Sequence, residues 1–168
     1  MEKQFKNKIT DKYLQEIDEG HDWGFKLIRG LVKPDPTALE VVQQYQFAKA
    51  NNWLSKEDNA NYNNRWLQFR GDFQGQFKKT SDFMKRNFGI AQSHIYASWI
   101  KDGHSYGRHC DTMDVIIVQM WNQIAYCVES ENQHTSYILS PGDALYIRNG
   151  VHHTPIIFGE RATMSFSW

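Results

Sequence analysis

Apolar and polar positions change their rhythm at about residue 91. From there on, short β-rich runs succeed one another over residues 94–100, 115–121, 124–128, 135–139, 144–147, 153–158 and 162–168. Turn-forming pairs separate them: Asp102-Gly103, Asn122-Gln123, Glu131-Asn132, Pro141-Gly142 and Asn149-Gly150, with Gly159 before the last run. Strands this short, at this spacing, predict a sandwich or a barrel.

Residues 1–90 read as a mixed, largely helical cover for that β half. The pattern over 10–17 predicts a short helix capped by Thr10 and ended by Gly20, with Tyr13, Leu14 and Ile17 on one face. Phe25, Leu27 and Arg29 alternate with Lys26 and Ile28, so a strand is expected up to Gly30. After a Pro-containing turn, Asp35 or Thr37 can cap a helix over 38–51 whose apolar positions are Leu39, Val42, Tyr45, Phe47 and Ala48. A loop or short helix is expected over 52–64, a short strand over 66–70 and a connection over 71–79. Thr80, Ser81 and Asp82 then cap a helix that Gly89 stops. No linker interrupts the 168 residues, so a single domain over 1–168 is expected.

Composition narrows the function classes. Lys plus Arg and Asp plus Glu are 19 each, and zero net charge argues against a nucleic-acid or anionic-lipid partner. No stretch is long and apolar enough for a membrane span, and no apolar run follows Lys3, Lys6 and Lys8 as a secretory signal requires. The two cysteines, Cys110 and Cys127, form no Cys-x-x-Cys pair. That disfavours a disulfide scaffold and a thiolate zinc site, and makes the cytoplasm the expected location. The many aromatic residues read as core packing.

Chemistry concentrates in Gly107-Arg108-His109-Cys110-Asp111-Thr112-Met113-Asp114-Val115. In an extended segment His109 and Asp111 point the same way. A second half-site follows in Pro141-Gly142-Asp143, running on to Gly150-Val151-His152-His153. His152 and His153 are neighbours, so in a strand they face opposite ways and only one can join the first pair. Two imidazole nitrogens and one carboxylate on one face of a metal leave the other positions open, which is the facial triad of non-heme iron(II) oxygenases. The competing reading is a surface turn in which Asp111 bonds a backbone amide. Arg161 and Thr163 alternate on the last run and make a fork for a carboxylate, or else the polar face of a half-buried strand. His94, His104 and His134 read as surface or hydrogen-bonded histidines, and Cys110 as structural. Nucleophile-elbow, phosphate-loop, dinucleotide and His-Glu-x-x-His motifs are absent.

These residues carry a resemblance. Gly107-x-His109-x-Asp111-x-x-Asp114-Val115-x-x-x-Gln119 resembles the iron-binding strand of the JmjC-type, cupin-like 2-oxoglutarate oxygenases, the ribosomal oxygenase group above all. Pro141-Gly142-Asp143-x-Leu145-Tyr146-Ile147-x-x-Gly150-x-x-His153 is similar to their second motif. There the iron histidine stands three residues after the glycine, so the resemblance selects His153 over His152. Residues 25–31 look like their early strand, and the likeness is good over 103–168 and faint before. It implies a mainly β chain with N-terminal helices, whose core over 91–168 is a double-stranded β-helix, the cupin or jelly-roll barrel. It further implies Fe(II) held by His109, Asp111 and His153, with 2-oxoglutarate and O2 as co-substrates. The reaction implied is hydroxylation of a protein side chain or small molecule.

The chain departs from the pattern at two places. Arg148 stands where proline is usual, and Ile124 stands where a Lys or Arg usually holds the distal carboxylate of 2-oxoglutarate. Arg161-Ala162-Thr163 is similar to the Arg-x-Thr pair that does this in related oxygenases, so the role is assigned to Arg161 and Thr163. The regions that ribosomal oxygenases use for dimerisation and their winged helix have no counterpart in the resemblance, so a ribosomal substrate is not implied. Ile124 favours, as an alternative, a metal-binding cupin that does not use 2-oxoglutarate; a non-catalytic cupin module is the third reading, and the presence of all three ligand candidates counts against it.

Overall fold

The computed structural model describes residues 15, 17, 19–54, 67–69, 72–90, 92–99, 105–130 and 133–168. The helix expected over 10–17 lies mostly outside them. Within them residues 19–23 are helical, so the helix runs past Gly20, and the break comes at Gly24, whose φ is +92°.

Strand β1 (Phe25–Ile28) leads to helix α1 (Ala38–Ala50), β2 (Leu67–Phe69) and helix α2 (Gly75–Phe88). The β half follows as β3 (Gln92–Ser98), β4 (Val115–Trp121), β5 (Ile124–Ser130), β6 (Gln133–Leu139), β7 (Ala144–Ile147), β8 (His152–Ile156) and β9 (Arg161–Ser167). All pairings are antiparallel, in a six-stranded sheet of order β1-β7-β4-β9-β3-β2 and a three-stranded sheet of order β6-β5-β8. The chain is therefore mainly β with few helices, in the jelly-roll manner.

The pleat of β4 explains the layers. Val115 and Ile117 face the small sheet and pack with Ile124, Tyr126, Val128 and Leu139. Ile116, Val118 and Met120 face the other way, onto Val41 and Ala48 of α1 and Phe77 and Met84 of α2. A strand covered on both faces needs an unbroken apolar run, and that is what 115–118 supplies. Gln119 interrupts it between the sheets, and every group of its amide is used. Nε2 donates to the carbonyls of Trp121 (2.8 Å) and Asn122 (3.0 Å), and Oε1 accepts from the Thr163 hydroxyl (2.7 Å).

Two expectations about the cover need correction. Of the two candidate caps of α1, Thr37 serves: a capping box joins its hydroxyl to the Glu40 amide and the Glu40 carboxylate to its own amide. The buried stripe is Val41, Gln44 and Ala48, while Leu39 and Val42 are exposed. Gln44 can lie inside because its amide caps the approach to α2, accepting from the Gln74 amide (2.7 Å) and donating to the Asp72 carbonyl (3.3 Å). That same clamp starts α2 at Gly75, so Thr80 and Ser81 are interior and buried instead of capping. Gly89 ends it with φ +63°, as expected.

The Pro141-Gly142-Asp143 turn ties the β half to β1. Asp143 accepts from the Gly30 amide (3.1 Å), the Ser140 amide (3.0 Å) and Arg29 Nη1 (2.5 Å), so it is a buried structural carboxylate. Gly142 has φ +95°, and a Cβ there would run into the Val32 carbonyl oxygen. Gly142→Ala is expected to lower unfolding free energy by about 1–3 kcal/mol, since it adds backbone strain to a clash against main chain. Chemical denaturation measures it, and a loss under about 0.5 kcal/mol would show that the turn relaxes freely.

Candidate metal centre

His109 lies in the loop before β4, and His153 in β8. Their backbones pair reciprocally, His109 N–H to the His153 carbonyl (3.0 Å) and His153 N–H to the His109 carbonyl (2.8 Å). Directly opposed residues of an antiparallel bridge project to the same side. The two rings accordingly stand with centroids 4.3 Å apart. The Asp111 carbonyl accepts from the Gly150 amide (2.9 Å), which extends the pairing and brings the carboxylate round to the same side. Donor atoms of His109, Asp111 and His153 all lie within 4.8 Å of one another.

The imidazoles are oriented for coordination. His109 Nδ1 is 2.8 Å from the Gly107 carbonyl and His153 Nδ1 is 3.2 Å from the Val151 carbonyl. A carbonyl can only accept, so each Nδ1 carries the proton and each Nε2 presents its lone pair. Burial, with the nearby His109, also lowers the pKa of His153 and favours its neutral form. His153 is deeply buried and the Asp111 side chain is 39% exposed, so the site opens on the aspartate side.

His152 goes elsewhere. It sits opposite Glu129, beside the Arg108–Glu129 ion pair (2.8 Å), on the outer side of the small sheet. Asp114 is structural: it accepts from the Tyr146 hydroxyl (2.6 Å) and the Asn149 amide (2.8 Å). Cys110 is exposed, Cys127 lies 3.0 Å from the Ser136 hydroxyl, and His134 is exposed on β6. His104 is outside the described residues.

Arg161 lines the same cleft as the three donors. It is 2% exposed; Nη1 donates to the Tyr96 carbonyl (2.8 Å), Cζ lies 5.9 Å from the Tyr96 ring centre, and Nε has no partner. Among the described residues no carboxylate pairs with it. Thr163 does not reach the cleft: its hydroxyl is held by Gln119, and Ser165, one alternation further along β9, stands in the wall. Ile124 is packed in the core between the sheets. The sequence reading missed three tyrosines of the wall, Tyr96, Tyr106 and Tyr126. The alternation of β3 and β5 marks Tyr96 and Tyr126 as inward-facing, but nothing in it separates a cleft tyrosine from a core one.

No family model and no curated protein matches this chain. Solved structures do. An X-ray structure of Escherichia coli YcfD aligns over 99% of this chain and 54% of its own, with 16% identity and a TM-score of 0.62. Another, described as the ribosomal oxygenase YcfD with cobalt and 2-oxoglutarate, aligns over 61% and 31% at 22% identity and TM-score 0.50. A prolyl-4-hydroxylase of Pseudomonas putida aligns over 92% and 97% at 11% identity and TM-score 0.60. The chain thus spans about a third to a half of the YcfD structures it matches. At these identities the likeness establishes a shared fold. No helix of the described residues is long and apolar enough to cross a membrane.

Proposed function

We propose that this chain is an iron(II)- and 2-oxoglutarate-dependent oxygenase that hydroxylates a protein side chain or a small molecule, its two sheets forming the halves of a double-stranded β-helix. One observation carries the reading. A fully buried guanidinium with no carboxylate partner among the described residues lines the same cleft as a His-Asp-His donor set. A metal site alone fits many cupins, whereas a metal site beside an unpaired buried cation fits a chelating ligand with a second carboxylate.

In this reading His109 Nε2, His153 Nε2 and an Asp111 oxygen hold the metal, and the Gly107 and Val151 carbonyls keep both rings turned toward it. Arg161 takes the distal carboxylate of 2-oxoglutarate. Thr163 helps by bonding Gln119, which secures the β4–β5 turn beside β9. Iron with 2-oxoglutarate and O2 supplies, when bound, oxidative decarboxylation to succinate and removal of hydrogen from a C–H bond. The chain's own work is to orient the diacid, position the target and exclude water, for which Tyr96, Tyr126 and Ile117 supply an apolar wall.

The test is an anaerobic titration of metal-free protein with Fe(II) and then 2-oxoglutarate, followed by visible absorption. A charge-transfer band that requires both additions is expected. Iron binding without the band would move the assignment to a metal-dependent cupin of other chemistry. Ile124, apolar and in the core, is the specific observation in favour of that second reading.

A further inference from the structure

Next to the cleft that holds Arg161 lies a wider one of about 300 Å3. Tyr96, Tyr106, His109, Asp111 and Ser165 line both, so two of the three donors stand on the shared wall. The strand register shows how the second cleft is built. Gln92, Ser167 and Val115 lie directly across from one another on β3, β9 and β4, and His94, Ser165 and Ile117 form the next row. Arg161 is six residues back along β9, about 20 Å at the usual rise per residue. One face of the six-stranded sheet therefore runs from a cationic end at Arg161 to a far end of different chemistry, and Ser165 between them lines a cleft with donors from the loop before β4 and from β8.

Among the described residues, that far end carries no Asp, Glu, Lys or Arg apart from Asp111, whose charge a bound divalent metal would offset; His94 is the one other ionisable ring beside His109 in its wall apart from the tyrosines. Its wall offers the Gln92 amide and the hydroxyls of Thr112, Ser165 and Ser167 against the apolar Met113 and Val115. Ser165 and Ser167 are 8% and 9% exposed, and among the described residues no hydrogen bond engages either hydroxyl or the Gln92 amide. Gln92 is exposed and both serine hydroxyls stand in the cleft wall, so all three are open to bond a ligand that enters it. Amides and hydroxyls serve an uncharged group that both donates and accepts. An ionic group would lose hydration here, and among the described lining residues only Asp111 and the histidine rings could meet it.

We propose that the prime substrate enters this wider cleft with an uncharged, amide-bearing group of about amino-acid-residue size, presented to the His109–Asp111 side of the metal centre. This rests on the oxygenase reading. The test uses anaerobic protein loaded with Fe(II) and 2-oxoglutarate. The paramagnetic relaxation of three probes of near-equal size is measured: N-acetyl-glutamine methylamide, N-acetyl-glutamate methylamide and N-acetyl-lysine methylamide. The glutamine probe is expected to bind about tenfold or more tightly than either charged probe. Free glutamine, run alongside, supports the proposal equally if it binds in that manner, and the tighter of the two neutral forms names the source as a free molecule or a peptide. Ser167→Asp should shift the preference to the lysine probe by about tenfold. Should that variant not fold, Gln92→Glu, exposed and isosteric, replaces it. A charged probe that binds as well as glutamine, no binding by any probe, or a preference that ignores both variants overturns the proposal. The charge-transfer band separates the two failures: without the band the oxygenase reading falls and this inference with it, whereas a band with the wrong preference overturns this inference alone.

Discussion

Asp111→Ala is expected to abolish iron(II) retention and leave the fold intact. The side chain is 39% exposed, and among the described residues no hydrogen bond engages its carboxylate; only its backbone carbonyl, which the substitution keeps, bonds Gly150. Folding therefore loses almost nothing. Metal binding loses the one anionic donor of three, and two imidazoles 4.3 Å apart by ring centre are left to hold a divalent cation. Changes to groups that merely orient a ligand cost about 10–100-fold in metal affinity, so loss of the ligand itself should exceed about a hundredfold. Metal content after desalting, read beside the far-UV spectrum and the melting temperature, checks both halves. His152→Ala serves as the control, since that ring sits across from Glu129 outside the cleft, and it should retain iron fully. An Asp111→Ala protein at full iron occupancy would refute the donor set.

The strands were more legible in the sequence than the cover or the cleft, for a physical reason. β4 and β7 coincide with the runs over 115–121 and 144–147 because a strand walled on both faces must be apolar throughout and bounded by turn residues. The face of α1 was not legible, because Gln44 is buried by two hydrogen bonds to a segment 28 and 30 residues away, and periodicity carries no trace of such partners. Period-two alternation did separate His152 from His153, but which faces inward follows from the pairing of His153 with Val128 and His109, both set by tertiary contacts. Thr163 shows the opposite limit. Alternation groups it with Arg161 and Ser165, yet the Gln119 amide claims its hydroxyl.

Those limits bear on how the cleft is electrically balanced. Tyr96 and Tyr126 flank Arg161, and burial, the leading cause in each, raises both phenols, Tyr126 to about 12. Both are neutral at physiological pH and neither can supply a counter-charge. Asp111 is on the donor side, its carboxylate 3.6 Å from His153 Nε2. Among the described residues no anion balances Arg161, so under the proposed function the balancing carboxylate arrives with the ligand.

Arg161→Met should consequently act in opposite directions on stability and on binding. Burial pushes the guanidinium down to about 10, so it stays charged at neutral pH. A cation whose folded pKa lies below its unfolded value destabilises the fold wherever it is charged, and the cost disappears as pH rises past about 10. Its size is on the order of 3 kcal/mol. Methionine fills similar space without that cost, but forfeits the hydrogen bond to the Tyr96 carbonyl, worth about 1 kcal/mol. The ligand-free variant should therefore gain about 1–2 kcal/mol, a rise of a few degrees in melting temperature. Its affinity for 2-oxoglutarate should fall by about a hundredfold or more, the loss of a buried charge-assisted pair, while iron retention is spared because the three donors are untouched. Thermal melts without ligand and titration of the iron-loaded protein with 2-oxoglutarate read the two effects separately. A variant that melts lower and binds 2-oxoglutarate unchanged would make Arg161 a structural cation, and the carboxylate partner would then have to be sought among Tyr96, Tyr126 and Ser165.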